Sequence, residues 1–334
     1  MNPSLQGLAV LGVGRWGQNL LRTFCKLLGE ERITACDLSR ERLQAIRQQY
    51  PRVRTTTDFE EVLRDHHIEA VAVATPAITH AELAEAALRA GKHTWVEKPL
   101  ALSSDAAEKL TALSERRGRV LMVDHLLEYH PAVEALRSRI QDGALGEVFY
   151  VHSQRLNFGV VRTEENALWS LAPHDISVIL YLLGEEPRQV RAEGAVYLQE
   201  REGIEDVALL TLEFSRTLGH VHVSWLYPQK VRRLVVVGSE GMAVFDDLAP
   251  TKLVMHKKRA LVPQEPRGGG VRLEDKGVQP IALDEKEPLQ AAAEHFLRCI
   301  ERGERPRSDG EDGLRVLRVL EAAQRSLQEE VPTP

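Results

Sequence analysis

Residues 8–24, LAVLGVGRWGQNLLRTF, decide the fold class. The apolar run at their start ends in glycines, and the apolar residues that follow recur at helical spacing. Gly12, Gly14 and Gly17 form a GxGxxG pattern where the strand turns into the helix. Gly12 permits the tight turn, Gly14 lets the backbone approach a pyrophosphate, and Gly17 allows close helix packing. The helix N-terminus adds N–H donors for an anion, so this stretch predicts a dinucleotide-binding unit.

The context of the glycine pattern supports the same prediction. Asp37 lies 20 residues beyond Gly17, at the end of the next apolar run, where an acidic residue bonds the ribose 2′-hydroxyl of NAD. Its charge repels a 2′-phosphate, so we expect NAD as cofactor, with NADP disfavoured. Arg40 argues in the opposite direction, for NADP, because an arginine there can accommodate the 2′-phosphate. The alternative is an ordinary glycine turn with Asp37 as a helix cap.

Short apolar runs and helical patterns continue to alternate along the first third of the chain. Strands are predicted at 33–37, 69–75, 93–97 and 119–123, with helices between them. Such alternation is typical of parallel βαβ units, since a parallel crossover needs a helix-sized connection. Thr57 with Glu60, and Thr79 with Glu82, fit the capping box that starts a helix.

After residue 124 the pattern changes. Helices are predicted near 129–142 and 171–183, followed by long strand-like runs joined by short turns, which indicate one antiparallel sheet. Residues 257–280 read as a solvated loop, and two helices near 288–303 and 310–329 close the chain. We therefore expect an α/β protein with a Rossmann domain at 1–123. A second α/β domain at 124–334 carries substrate binding and oligomerisation, and its closing helices are free to pack back on the first domain.

Composition excludes several function classes. The 334 residues carry 43 Lys+Arg against 49 Asp+Glu, a net charge of −6, which is not the electrostatic signature of a nucleic-acid or anionic-membrane binder. The three cysteines show no CxxC or metal-type spacing, so neither disulfides nor a metal site are predicted. The N-terminus lacks the features of an export signal, and no apolar run reaches membrane-spanning length. We expect a cytoplasmic enzyme with a small polar substrate.

Glu97-Lys98-Pro99 follows the strand 93–97, at the carboxyl edge where open α/β sheets bind ligands. A half-buried lysine near a positive nicotinamide loses its proton more readily, which suits a general acid/base near neutral pH. Taken alone, the tripeptide is also compatible with a surface turn.

The order of motifs resembles the Gfo/Idh/MocA oxidoreductases over nearly the whole chain. It comprises GxGxxG, the ATP segment (74–76), the EKP segment (97–99) and the APHD segment (172–175), followed by an antiparallel sheet. Residues 155–175 and 223–247 look like the branch that oxidises C3 of UDP-linked N-acetylhexosaminuronates. The resemblance implies Lys98 and His174 as the catalytic acid/base pair. It also implies a cofactor-binding set made of Gly12, Gly14, Arg15, Trp16, Gly17, Asp37, Thr75, Pro76, His80, Glu97 and Lys98.

One departure from the family pattern concerns the residue four positions before His174. Many members have Asp there, whereas this chain has Ser170, which hydrogen-bonds but cannot act as a carboxylate. Further substrate-binding candidates lie in the segment leading into His174 and in a later strand, because arginine forks suit carboxylates or diphosphates and an indole suits stacking. They are Arg155, Asn157, Arg162, Asn166, Trp225 and Lys230. Asp175, which directly follows His174, is expected either to orient His174 or to bind elsewhere in the site.

Two other activities fit the same motifs. One is an NAD-dependent glycosidase that oxidises and re-reduces its substrate without net NADH, and the other is a dehydrogenase of a free sugar or polyol. A dinucleotide sensor without chemistry is disfavoured by the intact EKP segment and His174. The family resemblance also implies a homodimer or homotetramer. The pair His220 and His222 points to one sheet face, but no third ligand at suitable spacing follows it.

Overall fold

A computed structural model describes residues 5–261 and 270–329. The chain divides into two compact units, one made of residues 1–129 and 286–318 and the other of 130–285 and 319–334. The first boundary falls at 129/130, a few residues after the end of the last parallel strand. No helix among the described residues combines the length and apolar character that a membrane span requires.

The first unit is built on six parallel strands in the order β3-β2-β1-β4-β5-β6, which confirms the predicted Rossmann sheet. Its third strand escaped prediction because three exposed or half-buried residues, RTT, carry no apolar pattern. The strands are β1 (Leu8–Leu11), β2 (Ile33–Cys36), β3 (Arg54–Thr56), β4 (Ala70–Val73), β5 (His93–Val96) and β6 (Leu121–Val123); the helices between them are α1 (Gly17–Leu28), α2 (Arg40–Gln49), α3 (Phe59–Arg64), α4 (His80–Arg89) and α5 (Ser104–Arg117).

Both capping-box predictions were wrong. Asp58, not Thr57, caps α3 by accepting a hydrogen bond from the Glu60 N–H at 2.9 Å. A 3-10 turn precedes α4, and within it the Thr79 hydroxyl donates to the Pro76 carbonyl at 2.7 Å instead of capping the helix. Side chains with alternative backbone partners nearby take the local one, which the four-residue pattern cannot reveal.

The second unit holds an eight-stranded sheet in the order β14-β13-β12-β11-β7-β10-β9-β8. All neighbours are antiparallel except β7 and β10, which confirms the mostly antiparallel prediction. Two helices precede or interrupt these strands. The elements are α6 (Pro131–Gln141), β7 (Val148–Phe158), α7 (Ala167–Leu183), β8 (Gln189–Ala195), β9 (Val207–Glu213), β10 (Leu218–Ser224), β11 (Leu226–Gly238), β12 (Met242–Asp246), β13 (Leu253–Leu261) and β14 (Arg272–Pro280).

The predicted loop at 257–280 was wrong at both of its ends. Residues up to Leu261 extend β13, and Arg272–Pro280 pairs with it as β14; residues 262–269 lie outside the described part. The two strands carry ion pairs across the ladder, such as Arg259 with Glu274 at 2.7 Å. Charged residues therefore suit this edge of the sheet, although their composition reads as loop.

The closing helices are α8 (Pro288–Arg302) and α9 (Gly310–Glu329). α8 belongs to the first unit, where Phe296 interlocks edge-to-face with Phe24 and Trp95 at centroid distances of 5.7–6.5 Å. All three rings are fully buried. Such pairs contribute about 0.5–1.5 kcal/mol each beyond their buried area, so this aromatic cluster anchors α1 and α8 on the sheet.

Candidate active site

The glycine loop between β1 and α1 is shaped as the fingerprint requires. Gly12 has φ +82°, and a Cβ there would lie 2.8 Å from the Ala74 carbonyl. A Cβ on Gly17 would collide with the Gly12 carbonyl, so α1 can approach the loop only with glycine at that position. Gly14 faces open space except for the Arg42 guanidinium at 3.9 Å. The loop therefore leaves room at Gly14 and at the exposed Arg15 for a ligand that approaches the backbone.

Asp37 lies at the end of β2, next to this loop. Its carboxylate accepts hydrogen bonds from the Val13 N–H at 2.9 Å and the Ser39 N–H at 2.8 Å. Arg42 makes an ion pair with it at 3.5 Å. Sequence reasoning selected Arg40 as the arginine near the ribose position, whereas the structure brings Arg42 there. The helical phase of α2 decides this, because the helix begins at Arg40 and residues two positions apart point to opposite sides of a helix.

The segment after β4 is tied to the EKP segment by His80. Its ring nitrogens lie 2.9 Å from the Thr75 carbonyl and 2.7 Å from the Pro99 carbonyl. His80 is only 1% exposed, and burial lowers its pKa. His80 was expected to contact the cofactor, but both of its ring nitrogens are used within the fold. It holds the loop that carries Thr75 against the loop that carries Pro99. Thr75 and Pro76 stay at least partly accessible at the carboxyl edge of the sheet.

The EKP segment reaches the glycine loop through Trp16. The half-buried Lys98 follows β5 directly, and the Lys98–Pro99 peptide bond is cis. The Trp16 indole N–H donates to the Glu97 carboxyl and lies 3.2 Å from the carboxyl of Asp124, which directly follows β6. Asp124 is 1% exposed and was missed by sequence reasoning, although its place just after a predicted strand was a usable signal.

These residues fit a dinucleotide such as NAD. The Gly14 backbone is open, the N-terminus of α1 faces it, and the Asp37 carboxylate stands at the adjacent strand end, where an adenosine ribose binds in this fold. Lys98 lies at the same sheet edge, because β1, β4 and β5 are neighbouring parallel strands. The first unit therefore carries Lys98 at the same sheet edge as a glycine loop that fits a dinucleotide.

In the second unit, His174 lies on α7, directly after Pro173. The His174 side chain is half-buried, and its carbonyl accepts a hydrogen bond from the Ser177 hydroxyl at 3.1 Å. Ser170 lies one turn earlier on the same helix and is 8% exposed. Asn166 is the N-cap of α7, and its side-chain Oδ1 accepts a hydrogen bond from the Trp169 N–H at 3.0 Å.

Asp175 connects α7 to β7. It accepts hydrogen bonds from the Ser153 hydroxyl at 2.6 Å and from Nε and Nη2 of Arg155, at 2.6 and 3.3 Å. Asp175 is 4% exposed, so this is a buried bidentate ion pair. Asp175 therefore holds the Arg155 guanidinium in place. Both residues were expected to bind substrate, and in the structure they bind each other.

Arg232 adds a second guanidinium to this region. It lies opposite Arg155 in the β7–β11 ladder and donates to the Leu156 carbonyl at 2.9 Å and to the Asn157 side chain at 3.0 Å. Burial, and then the positive charge of Arg155, lower the pKa of Arg232 to about 10. Two guanidinium-bearing residues therefore lie opposite each other on this part of the sheet, with Asp175 and Asp247 as the carboxylates that act on Arg232.

The structure corrects two of the expected substrate contacts. Trp225 is 1% exposed and donates its indole N–H to Asp206 at 2.7 Å, which makes it a core residue. The Asn166 amide donates to Glu205 and Gln324 in addition to its capping bond, so its hydrogen-bonding capacity is used within the fold. Arg162 pairs with Glu165 at 3.1 Å near the surface, and Lys230 is exposed.

A buried polar cluster also lies in the first unit. His125 Nδ1 is 2.6 Å from Asp312 and 3.5 Å from Glu128, and Arg315 donates to the other oxygen of Asp312 at 2.6 Å. One nitrogen of His125 and one carboxyl oxygen each of Glu128 and Asp312 lie within 4.8 Å of one another, which is close enough for a metal ion to bind all three. The 2.6 Å contact is a hydrogen bond, and His125 and Arg315 both bind the Asp312 carboxylate, so the cluster is a buried ion-pair network with Glu128 as an additional carboxyl group.

Comparison with known proteins agrees with this geometry. Residues 7–125 match the model of an oxidoreductase family with an NAD-binding Rossmann fold, and residues 133–244 match the GFO/IDH/MocA C-terminal domain. The UDP-N-acetylglucosamine 3-dehydrogenase of Acidithiobacillus ferrooxidans is 30% identical over 75% of this chain and 76% of its own length. The D-apiose dehydrogenase of Paraburkholderia graminis is 29% identical over 96% and 87%.

A solved structure is similar over nearly its full length. The crystal structure of an oxidoreductase from Magnetospirillum magnetotacticum MS-1 superimposes with a TM-score of 0.81 at 33% identity, covering 95% of this chain and 98% of that one. Two family models, a relative at 30% identity and the two-sheet architecture agree. The chain belongs to the Gfo/Idh/MocA family of oxidoreductases, with an NAD-binding Rossmann fold.

Proposed function

We propose that this enzyme oxidises a ring hydroxyl of a sugar, with NAD as hydride acceptor and with Lys98 and His174 as the acid/base residues. The observation that carries the proposal is the contact between Trp16 of the glycine loop and Glu97. It ties the segment that carries Lys98 to the loop that fits a dinucleotide, which supports a protonatable amine acting beside the bound nicotinamide.

Oxidation of a secondary alcohol removes a hydride from carbon and a proton from oxygen. NAD, when bound, supplies the hydride acceptor. Lys98 as a neutral amine takes the hydroxyl proton and becomes an ammonium ion, and His174 is the second group that can hold a proton near neutral pH. Ser170 has no carboxylate to offer, so these two residues carry the acid/base work.

The substrate class we propose is a nucleotide-linked N-acetylhexosamine or its uronate, oxidised at C3. The Arg155–Arg232 region supports an anionic group such as a carboxylate or diphosphate, because two guanidinium-bearing residues lie opposite each other in the β7–β11 ladder. The relative named for UDP-N-acetylglucosamine supports the nucleotide sugar. The relative named for D-apiose keeps a free sugar as the second candidate.

We propose NAD rather than NADP, since the Asp37 carboxylate stands where a 2′-phosphate would be repelled. Arg42 opposes this preference by pairing with Asp37 at 3.5 Å. We further propose a homodimer or homotetramer. The face of the eight-stranded sheet that carries Tyr150 and Leu218, which lie opposite each other in register, leaves both side chains more than a third exposed.

The test is NADH absorbance after mixing the protein and NAD with UDP-N-acetylglucosaminuronate, UDP-N-acetylglucosamine or a free sugar. We expect a rise with a nucleotide sugar, and a loss of about 10²–10⁴-fold in rate for Lys98→Met. Lys109→Met, an exposed lysine on α5, is the matched control and should keep wild-type activity. A flat trace with both nucleotide sugars would exclude that substrate class, and release of a free sugar without NADH would favour the glycosidase.

A further inference from the structure

Two carboxyl groups meet at a single donor in the first unit. The Trp16 indole N–H hydrogen-bonds Glu97 Oε1 and also lies 3.2 Å from Asp124 Oδ2. The two carboxyls come together because β5 and β6 are paired in register, with Val96 opposite Val123, and each acidic residue directly follows its strand. The sequence separates these three residues by up to 108 positions, so only the sheet brings them together.

One N–H cannot satisfy two adjacent carboxylates. Asp124 is 1% exposed, and within the described residues its Oδ1 is buried without a hydrogen-bond partner. Two carboxyls that share one indole N–H in a poorly solvated place repel each other strongly when both are ionised, so one of them keeps its proton. Burial, and then the charge of Asp124, raise the pKa of Glu97 well above its ordinary value, and burial raises that of Asp124.

The groups that face this pair come from three elements. Trp16 stands at the start of α1, Lys98 follows Glu97 after β5, and His125 follows Asp124 after β6. The indole is neutral. His125 is held by Asp312 and Glu128 and acts on Asp124 alone, whereas Lys98 interacts electrostatically with both carboxyls. Lys98 is therefore the cation that the net charge of the whole pair affects.

We propose that Glu97 and Asp124 form a shared-proton pair, held by Trp16, which keeps one negative charge beside Lys98 and so sets how readily Lys98 exchanges its proton. Both acids are positioning residues that act through the lysine. The pairing of the two carboxyls stands on their shared contact with Trp16 and on the register of β5 and β6, whereas its catalytic consequence rests on the proposed role of Lys98. The pair holds its single charge whichever oxygen carries the proton.

The two neutral amide variants, singly and together, test the shared proton. In Glu97→Gln or Asp124→Asn the remaining carboxyl ionises normally, so the net charge stays at one negative charge. In the double variant it falls to zero. The measurement is the rate at which an amine reagent labels Lys98 in the full-length protein, followed by peptide mass spectrometry across pH. Asp105→Asn, an exposed carboxylate on α5, is the control.

We expect each single variant to label within about twofold of wild type near neutral pH, and the double variant to label about tenfold faster, since an opposite charge close to an ionisable group shifts its titration by at least one unit. Comparable acceleration by each single variant would mean two separately ionised carboxylates and would overturn the shared proton. An unchanged double variant would overturn the coupling to Lys98.

A second measurement keeps the test decisive if a variant folds poorly. Infrared difference spectra between wild type and whichever single variant folds should show, at neutral pH, the loss of one protonated carboxyl band, since the band of protonated Glu128 is common to both proteins and cancels. A band that persists unchanged in that variant contradicts the shared proton. Failure of Lys98→Met to lose activity would refute the proposed function while leaving this charge coupling intact, because labelling needs no turnover.

Discussion

Glu128→Gln should stabilise the protein at alkaline pH while leaving it nearly unchanged in mild acid. Glu128 is 1% exposed in the cluster with His125 and Asp312. Burial, and then the negative charge of Asp312, raise the pKa of Glu128 from 4.5 to about 8. Between these values the folded state holds a proton that the unfolded state has released, so stability falls as pH rises through this window.

The magnitude follows from the size of that shift. One pKa unit corresponds to about 1.4 kcal/mol, so a rise from 4.5 to about 8 sets a ceiling of about 5 kcal/mol on the stability lost. Ionised Glu128 also supports protonated His125, whose pKa is raised to about 9 against burial by hydrogen bonds to Asp312 and Glu128. Glutamine loses that support, so we expect a net gain of about 2 kcal/mol above the window.

Thermal unfolding at about pH 5 and about pH 9, compared between wild type and Glu128→Gln, measures the difference. The variant's advantage in Tm should grow with pH, whereas Glu115→Gln, an exposed control on α5, should show no such trend. A variant that is destabilised equally at both pH values would show that Glu128 is ionised throughout and would refute the reasoning.

Three further predictions concern other parts of the molecule. Arg42→Ala should weaken NADP binding about tenfold relative to NAD, because the guanidinium lies near Gly14 and Asp37. Fluorescence titration of both cofactors measures this ratio, which should not change in Arg40→Ala. Equal changes in the two variants would contradict the placement of Arg42 near the ribose position. Asp175→Asn should cost about 3–5 kcal/mol in chemical unfolding, since it leaves Arg155 buried without its counter-charge; a loss below about 1 kcal/mol would mean that water replaces the pair. Phe296→Ala should cost about 3–5 kcal/mol by opening a cavity between Phe24 and Trp95, and a Tm within a degree or so of wild type would show that α8 contributes little to the core.

The candidate site was predictable where chemistry is local in sequence. The glycine pattern, Asp37 and the EKP segment each lie at a strand end that hydrophobic periodicity locates, and Gly12 and Gly17 have the tight turn and the close helix approach that the pattern predicts. Asp124 and Arg42 escaped because their partners lie on other elements. Arg42 depends on the helical phase of α2, and Asp124 depends on the register between β5 and β6.

The opposite error occurred where a residue type suggested function but packing assigned it elsewhere. Trp225 was expected to stack on a nucleotide, yet Asp206 holds it in the core. His80 and Asn166 have their polar atoms bonded within the fold. Sequence shows which donors and acceptors exist, but only the structure shows which of them are already used.

The sequence by itself determined the alternation of parallel strands and helices, the dinucleotide loop and the change to a second, mostly antiparallel sheet, because hydrophobic period and glycine position act over a few residues. The tertiary structure alone decided the meeting of Trp16, Glu97 and Asp124, the burial of His125 with Glu128 and Asp312, and the Arg155–Asp175 pair. These groups are distant in the chain, and their charges interact strongly only once folding removes the water between them.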